Sequence, residues 1–224
     1  KANILLVHGL GEHSGRYATH FAEFFTREGF SILAFDLPGH GKSSGKRGHI
    51  EKDNDFNKII NSAINYLQYS DPSIPLFLYG HSLGGLIVLD YLLEEKPQIK
   101  GIISTAPVLD TFKPIAPAKV KLAKIMKNIL PSLSLDSGLN RSQLSHDENV
   151  ISAYNADPLV HGVASARLGS YIIERGKYVL DNLVNIELPT LVMVGSGEGI
   201  VSVDAINRFC ESSPNCTKKI WKGL

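Results

Sequence analysis

The feature that most constrains the fold is the run Leu76-Phe77-Leu78-Tyr79-Gly80-His81-Ser82-Leu83-Gly84-Gly85, which continues into an apolar segment ending near Glu95. A short continuous apolar run has the character of a strand covered on both faces. The segment behind it is long enough for a helix, and only a sharp glycine-rich turn separates the two. The same alternation recurs along the chain. Strands are predicted at Asn3–Val7, Phe30–Phe35, Leu76–Tyr79, Ile102–Thr105, Leu191–Val194 and from Lys219 to Trp221. Helices are predicted at Arg16–Glu28, with Tyr17, Phe21, Phe24 and Phe25 on one side, and at Asn54–Tyr69, with Phe56, Ile60, Ile64 and Leu67 at helical spacing. Such an order gives an α/β chain with a mostly parallel sheet, helices on both faces and right-handed crossovers.

One stretch breaks the alternation. Lys119–Leu130 reads as a basic amphipathic helix, Pro131–His146 is serine-rich and irregular, and Ala164–Leu183 is helical again. The expected organisation is a core of residues 1–109 and 178–224 with a helical cap, or lid, inserted at 110–177. A length of 224 residues suits one domain with such an insertion.

Composition removes several function classes. Lys plus Arg total 23 against 22 for Asp plus Glu, so the basic excess of a nucleic-acid binder is missing. No apolar run reaches the roughly 18 residues a membrane span needs. The first residues, Lys1 to Val7, lack the length and cleavage site of a signal peptide, which points to a cytoplasmic protein. In that setting Cys210 and Cys216 are expected as reduced thiols, and the sequons at Asn140 and Asn215 as coincidences. No spacing of His, Cys, Asp and Glu reads as a metal site.

The chemistry centres on Ser82. G-x-S-x-G alone is a weak pattern; its strand–turn–helix setting is that of a nucleophile elbow, with the serine raised on a strained turn. Gly80 and Gly84 avoid clashes across that turn, and the helix N-terminus favours developing negative charge at the site. Acyl transfer also needs oxyanion donors. The Leu83 N–H, next after the nucleophile, is one. The Leu10 N–H in His8-Gly9-Leu10-Gly11, after the first strand, is the other, with His8 bracing the loop.

Three segments together, His8-Gly9-Leu10-Gly11-Glu12-His13-Ser14-Gly15-Arg16-Tyr17, Asp36-Leu37-Pro38-Gly39-His40-Gly41-Lys42-Ser43-Ser44-Gly45 and Gly80-His81-Ser82-Leu83-Gly84-Gly85, resemble the monoacylglycerol lipase, or lysophospholipase, group of the α/β-hydrolases. The likeness runs through nearly the whole chain, including Asp157-Pro158-Leu159. It implies an α/β-hydrolase fold and a serine esterase that cleaves single-chain lipid esters without a cofactor. It further implies a cap that supplies an apolar acyl channel, with peripheral membrane contact through that cap. Ile125, Met126, Ile129, Leu130, Leu133 and Leu135 are expected either to line the acyl site or to form cap core. Glu12 and Arg16 are expected to pair with each other or to meet a polar head group.

In this group the triad acid follows a late strand, and its aspartate falls here on Glu198; Asp204 is the alternative. A glutamate can hold a histidine tautomer as an aspartate does. The triad histidine is expected beyond Leu224, because none of the eight histidines follows Glu198. His81 is expected to be turned away from the serine, and His161 to be structural. Strand one corresponds to the group's third, so the resemblance implies further chain at both ends. Without a base, Ser82 is a weak nucleophile.

Three rivals are set against this reading. Gly41-Lys42-Ser43 mimics the end of a phosphate loop, but Asp36 stands where that loop needs glycine and no helix follows. A carboxylesterase or amidase of other substrate class could use the same scaffold. A non-catalytic lipid- or partner-binding relative would need no elbow and no oxyanion loop.

Overall fold

A computed structural model describes residues 1–224, apart from the side chain at position 70. Strand β1 (Asn3–Val7) is buried at every position. The helical stretch after it changes winding, with a 3₁₀ turn over Ser14–Tyr17, a π turn over Ala18–Ala22 and helix α1 at Glu23–Arg27. Then come β2 (Ser31–Phe35), α2 (Asp55–Ser70), β3 (Leu76–His81), α3 (Leu83–Glu95) and β4 (Gly101–Thr105). The excursion holds α4 (Pro117–Ile129), β5 (Ser134–Asp136), α5 (Glu148–Ala156) and β6 (Val163–Ser165). Helix α6 (Ala166–Asp181), β7 (Thr190–Gly195), α7 (Val203–Ser212) and β8 (Cys216–Trp221) complete the chain.

The main sheet has the order β2-β1-β3-β4-β7-β8, and every pairing in it is parallel. This is the doubly covered sheet of an α/β-hydrolase. On one face Phe21 packs against Tyr79 of β3 and against Phe25, with ring centroids 4.6 Å apart in each pair. On the other, α3 lies against β3 and β4 and is flanked by α2 and α6. Residues 83–92 of α3 are all buried, as a helix apolar on every side requires. Each large aliphatic side chain so buried contributes roughly 1.5–3 kcal/mol.

Asp90 is the polar exception in α3. Its carboxylate accepts from the Tyr171 hydroxyl at 2.9 Å and from Arg175 Nε at 2.7 Å, both on α6. Removing one member of such a buried pair typically costs about 3–5 kcal/mol. Helix α6 is thereby clamped to the helix that carries the elbow. It runs unbroken across residues 177 and 178, so a division between core and cap at that point would cut one helix.

Two expectations need correction. The segment after α4 is not wholly irregular: β5 pairs antiparallel with β6, Ser134 opposite Ser165 and Asp136 opposite Val163. Three-residue strands carry too little alternation to be read locally. Cys210 and Cys216 were expected as thiols. The end of α7 and the start of β8 instead bring their Cα atoms to 5.1 Å, within disulfide reach, and the two form a disulfide. Among the described residues, no helix is long and apolar enough to cross a membrane.

Candidate active site

Ser82 caps the N-terminus of α3 with φ 53° and ψ −112°. A positive φ at a non-glycine residue typically costs about 1–3 kcal/mol and persists only where the surroundings enforce it. Here the Ser82 N–H donates to the Thr105 carbonyl at 2.9 Å, and the Ser82 carbonyl accepts from Val108 N–H at 3.2 Å. The flanking glycines are steric necessities: a Cβ on Gly80 would strike the Gly84 carbonyl, and one on Gly84 the carbonyls of Val7 and His8. His81 Nδ1 is hydrogen-bonded to Thr105 Oγ1 at 2.9 Å, so its ring is held on β4. Among the described residues, no histidine is hydrogen-bonded to Ser82 Oγ.

The loop after β1 comes close to this turn. A Cβ on Gly9 would lie 3.3 Å from Ser82 Cβ and 2.8 Å from Glu12 Oε1. His8 braces the loop from within, its Nδ1 2.8 Å from the Gly9 carbonyl and its Nε2 accepting from Leu37 N–H at 2.9 Å. Glu12 Oε1 accepts from Gly9 N–H and from the Tyr17 hydroxyl, each at 2.7 Å. Its other oxygen lies 3.4 Å from Arg16 Nε, so Glu12 and Arg16 do pair. The N–H groups of Leu10 and Leu83 have no acceptor among the described residues, and both residues border the same cavity as Ser82.

That cavity has a volume of about 640 Å³, within the usual range for small-molecule sites. Phe112, Ile115, Leu144, Val150, Ile172 and Ile200 supply apolar wall. None of the six cap residues from Ile125 to Leu135 expected at an acyl site lines it. Helix α4 turns Lys127 toward α6, where its ammonium meets Glu174 at 2.6 Å and Asp53 at 3.0 Å. Its apolar ridge, Leu122, Ile125 and Ile129, is exposed instead.

Glu198 borders the cavity, and its Oε1 accepts from Ile200 N–H at 2.7 Å and Val201 N–H at 3.1 Å. Asp204 lies in the first turn of α7, exposed and away from the cavity wall. The cavity wall also includes Tyr154, which no motif marks. Arg16 stacks on the Tyr154 ring, 4.6 Å from its centroid, and Arg141 lies 5.6 Å from the same centroid. Arg16 reaches Tyr154 from more than a hundred residues away in the chain, and a sequence gives no local signal for such a meeting.

Behind the loop after β1 sits a layer of histidines. The His40 ring lies 5.4 Å from that of His8 and 4.7 Å from that of His161, whose Nε2 meets the Gly39 carbonyl at 3.1 Å. His40 Nε2 is buried without a partner. Burial lowers His40 to about 3 and holds His8 and His161 below the ordinary histidine range. The unfolded chain therefore binds more protons below about pH 6.5, and stability falls as pH drops, by up to about 1.4 kcal/mol per pH unit for each such histidine. Denaturant midpoints measured from pH 7 to 5 should show this slope, and His40→Gln should flatten it. An unchanged slope in the variant would remove His40 from the account.

A parallel sheet with a strained serine on the wall of a cavity that Leu10 and Leu83 also border can be set beside known proteins. The family model described as serine aminopeptidase, S33 (Hydrolase_4) matches residues 1–224. The chain belongs to this family. Within it the chain falls in the monoacylglycerol lipase group. It is 31% identical to a monoglyceride lipase of Rattus norvegicus, over 100% of this chain and 74% of that protein. It is 29% identical to the phospholipase YtpA of Bacillus subtilis, over 100% of this chain and 86% of that protein. The crystal structure of a Paleococcus ferrophilus monoacylglycerol lipase superposes with a TM-score of 0.91 at 37% identity, covering 99% of this chain and 84% of that one.

Proposed function

We propose that this family member is a serine ester hydrolase that cleaves single-chain lipid esters, monoacylglycerols or lysophospholipids, through an acyl-enzyme on Ser82. The observation that carries the reading is Ser82 in a strained turn on the wall of a largely apolar cavity that Leu10 and Leu83 also border. In this mechanism Ser82 Oγ attacks the ester carbonyl, and the carbonyl oxygen, as its charge develops, accepts from Leu10 and Leu83 N–H. A histidine takes the serine proton and returns it to the leaving alcohol, with Glu198 fixing its tautomer and stabilising the imidazolium. The resemblance puts that histidine on the segment after β8, where Leu224 already lies against the Glu198 loop through the Gly197 N–H. Water then hydrolyses the acyl-enzyme. Glu12 and Arg16, paired at the cavity, are assigned to the polar head group.

The cap, in this reading, is the excursion between β4 and α6. Its helix α4 contains no acidic residue, and the exposed Leu122, Ile125 and Ile129 lie between the exposed Lys119 on one side and Lys121 and Lys124 on the other. An exposed apolar stripe edged with lysines suits the surface of an anionic bilayer. The protein should co-sediment with vesicles of mixed phosphatidylcholine and phosphatidylserine, and the triple change of these three residues to serine should weaken binding by about tenfold or more. Equal binding by the triple variant would rule out this surface.

A fluorophosphonate probe tests the central proposal. One adduct on Ser82, together with hydrolysis of a monoacylglycerol emulsion, is the expected result. Labelling elsewhere, or hydrolysis that persists after Ser82 is blocked, would overturn it.

A further inference from the structure

Helix α6 contains two glycines, and the structure explains only one by packing. A Cβ on Gly176 would strike the Leu109 carbonyl, so close approach of the chain requires glycine there. A Cβ on Gly169 would meet nothing within 4 Å. Its φ is helical, so no backbone conformation demands glycine either. Glycine inside a helix costs roughly 0.5–1 kcal/mol relative to alanine, and at this position neither packing nor backbone geometry repays it.

The space beside Gly169 is part of the cavity. Gly169, Ile172 and Ile173 stand at i, i+3 and i+4 on one face of α6, and all three border the cavity that Ser82 borders. The adjoining face, with Leu168, Tyr171 and Val179, is buried in the core, and Ile172 packs against that core as well. Gly169 is thus a gap beside the branched aliphatic side chains that α6 contributes to the wall.

We infer that Gly169 is a specificity-determining residue: by carrying no side chain, it leaves room in the cavity for the distal methylenes of a long acyl chain. This inference rests on the reading of the cavity as an acyl site. It makes a demand that a merely structural glycine would not, namely that enlarging the residue acts on long chains and spares short ones. Each methylene that loses apolar surroundings changes affinity by about fourfold.

The test is binding of a homologous series of free fatty acids, from butyrate to stearate, to the unmodified protein and to Gly169→Ala and Gly169→Leu, measured by calorimetry. Affinity for the unmodified protein should climb with each added methylene up to a long-chain limit. Gly169→Leu should move that limit to a shorter chain and weaken the longest acids by roughly 10- to 100-fold, with the short ones unchanged. Gly169→Ala, the milder change, should shift the limit less and raise Tm by about 2–4 °C. The same length limit in all three proteins would overturn the inference, as would equal weakening at every length. Hydrolysis of the matching p-nitrophenyl esters separates the two readings. A Gly169-dependent limit in binding without ester turnover would reject the hydrolase proposal and leave the size gate standing. Turnover with no such limit would do the reverse.

Discussion

Ser82→Ala should abolish fluorophosphonate labelling and lower kcat for ester hydrolysis by about 10⁴-fold or more, leaving only what oxyanion stabilisation and binding provide. The size of the effect follows from how the serine is held. Its backbone is fixed by bonds to Thr105 and Val108, and two unpaired N–H groups border the same cavity. Alanine keeps the β-carbon, the positive φ and every one of those backbone bonds, so the fold should survive with its Tm little changed. Fatty-acid binding should also survive, because the cavity wall is untouched. An alanine variant that still hydrolyses esters at the original rate would mean that another group is the nucleophile, and the elbow would then be only a tight turn.

Glu198→Gln should lower the acylation rate by about 10³- to 10⁴-fold, as loss of the triad acid's charge does elsewhere. The substitution is informative because glutamine keeps the Oε1 atom that accepts from Ile200 and Val201 N–H. The loop can therefore stay as it is while the negative charge is removed. Asp204→Asn should change the rate by less than about twofold, since that residue is an exposed member of the first turn of α7. Stopped-flow measurement of the acylation burst in both variants decides the matter. If the asparagine variant is the slow one, the acid is Asp204, and Glu198 is a loop residue that ties down its own backbone.

What could be read from the residues divides along physical lines. Helix α3 was legible because an apolar segment follows a glycine-rich turn directly, and burial on all sides leaves no other use for such a segment. The close approach of the loop after β1 was legible because glycines at a strand end mark such approach, which Gly9 makes toward Ser82. The place of Glu198 after β7 was legible, and the residue borders the cavity there; its role as triad acid remains the proposal. The ribbon of β5 and β6 was not, because three-residue strands are specified by their partner and not by their own pattern. The cap leucines and isoleucines, expected either at the acyl site or in cap core, are exposed. Amphipathic spacing shows that a helix has an apolar side, but Lys127 and its two carboxylate partners decide which way that side faces. The thiol expectation failed for a different reason. It followed from an assumed compartment, whereas the pairing depends on where a helix end and a strand start come together. Tyr154 was invisible because Arg16, which stacks on it, comes from a remote part of the chain.

The arrangement of the main sheet also dictates an order of assembly. Strands β2, β1, β3 and β4 lie within the first 105 residues, and each is hydrogen-bonded to neighbours from that same stretch. Strand β4 meets its next neighbour only across the excursion, with Ile102 opposite Thr190. Non-local pairings form late, because the ends of the loop must be brought together before contacts repay that cost. During synthesis the first four strands can therefore join while the edge of β4 waits for β7. Until it arrives, Ile102, which is almost fully buried in the finished protein, lies on an open strand edge able to pair with another chain. The loop that carries Glu198 follows β7, so the site itself is completed only when that edge is closed.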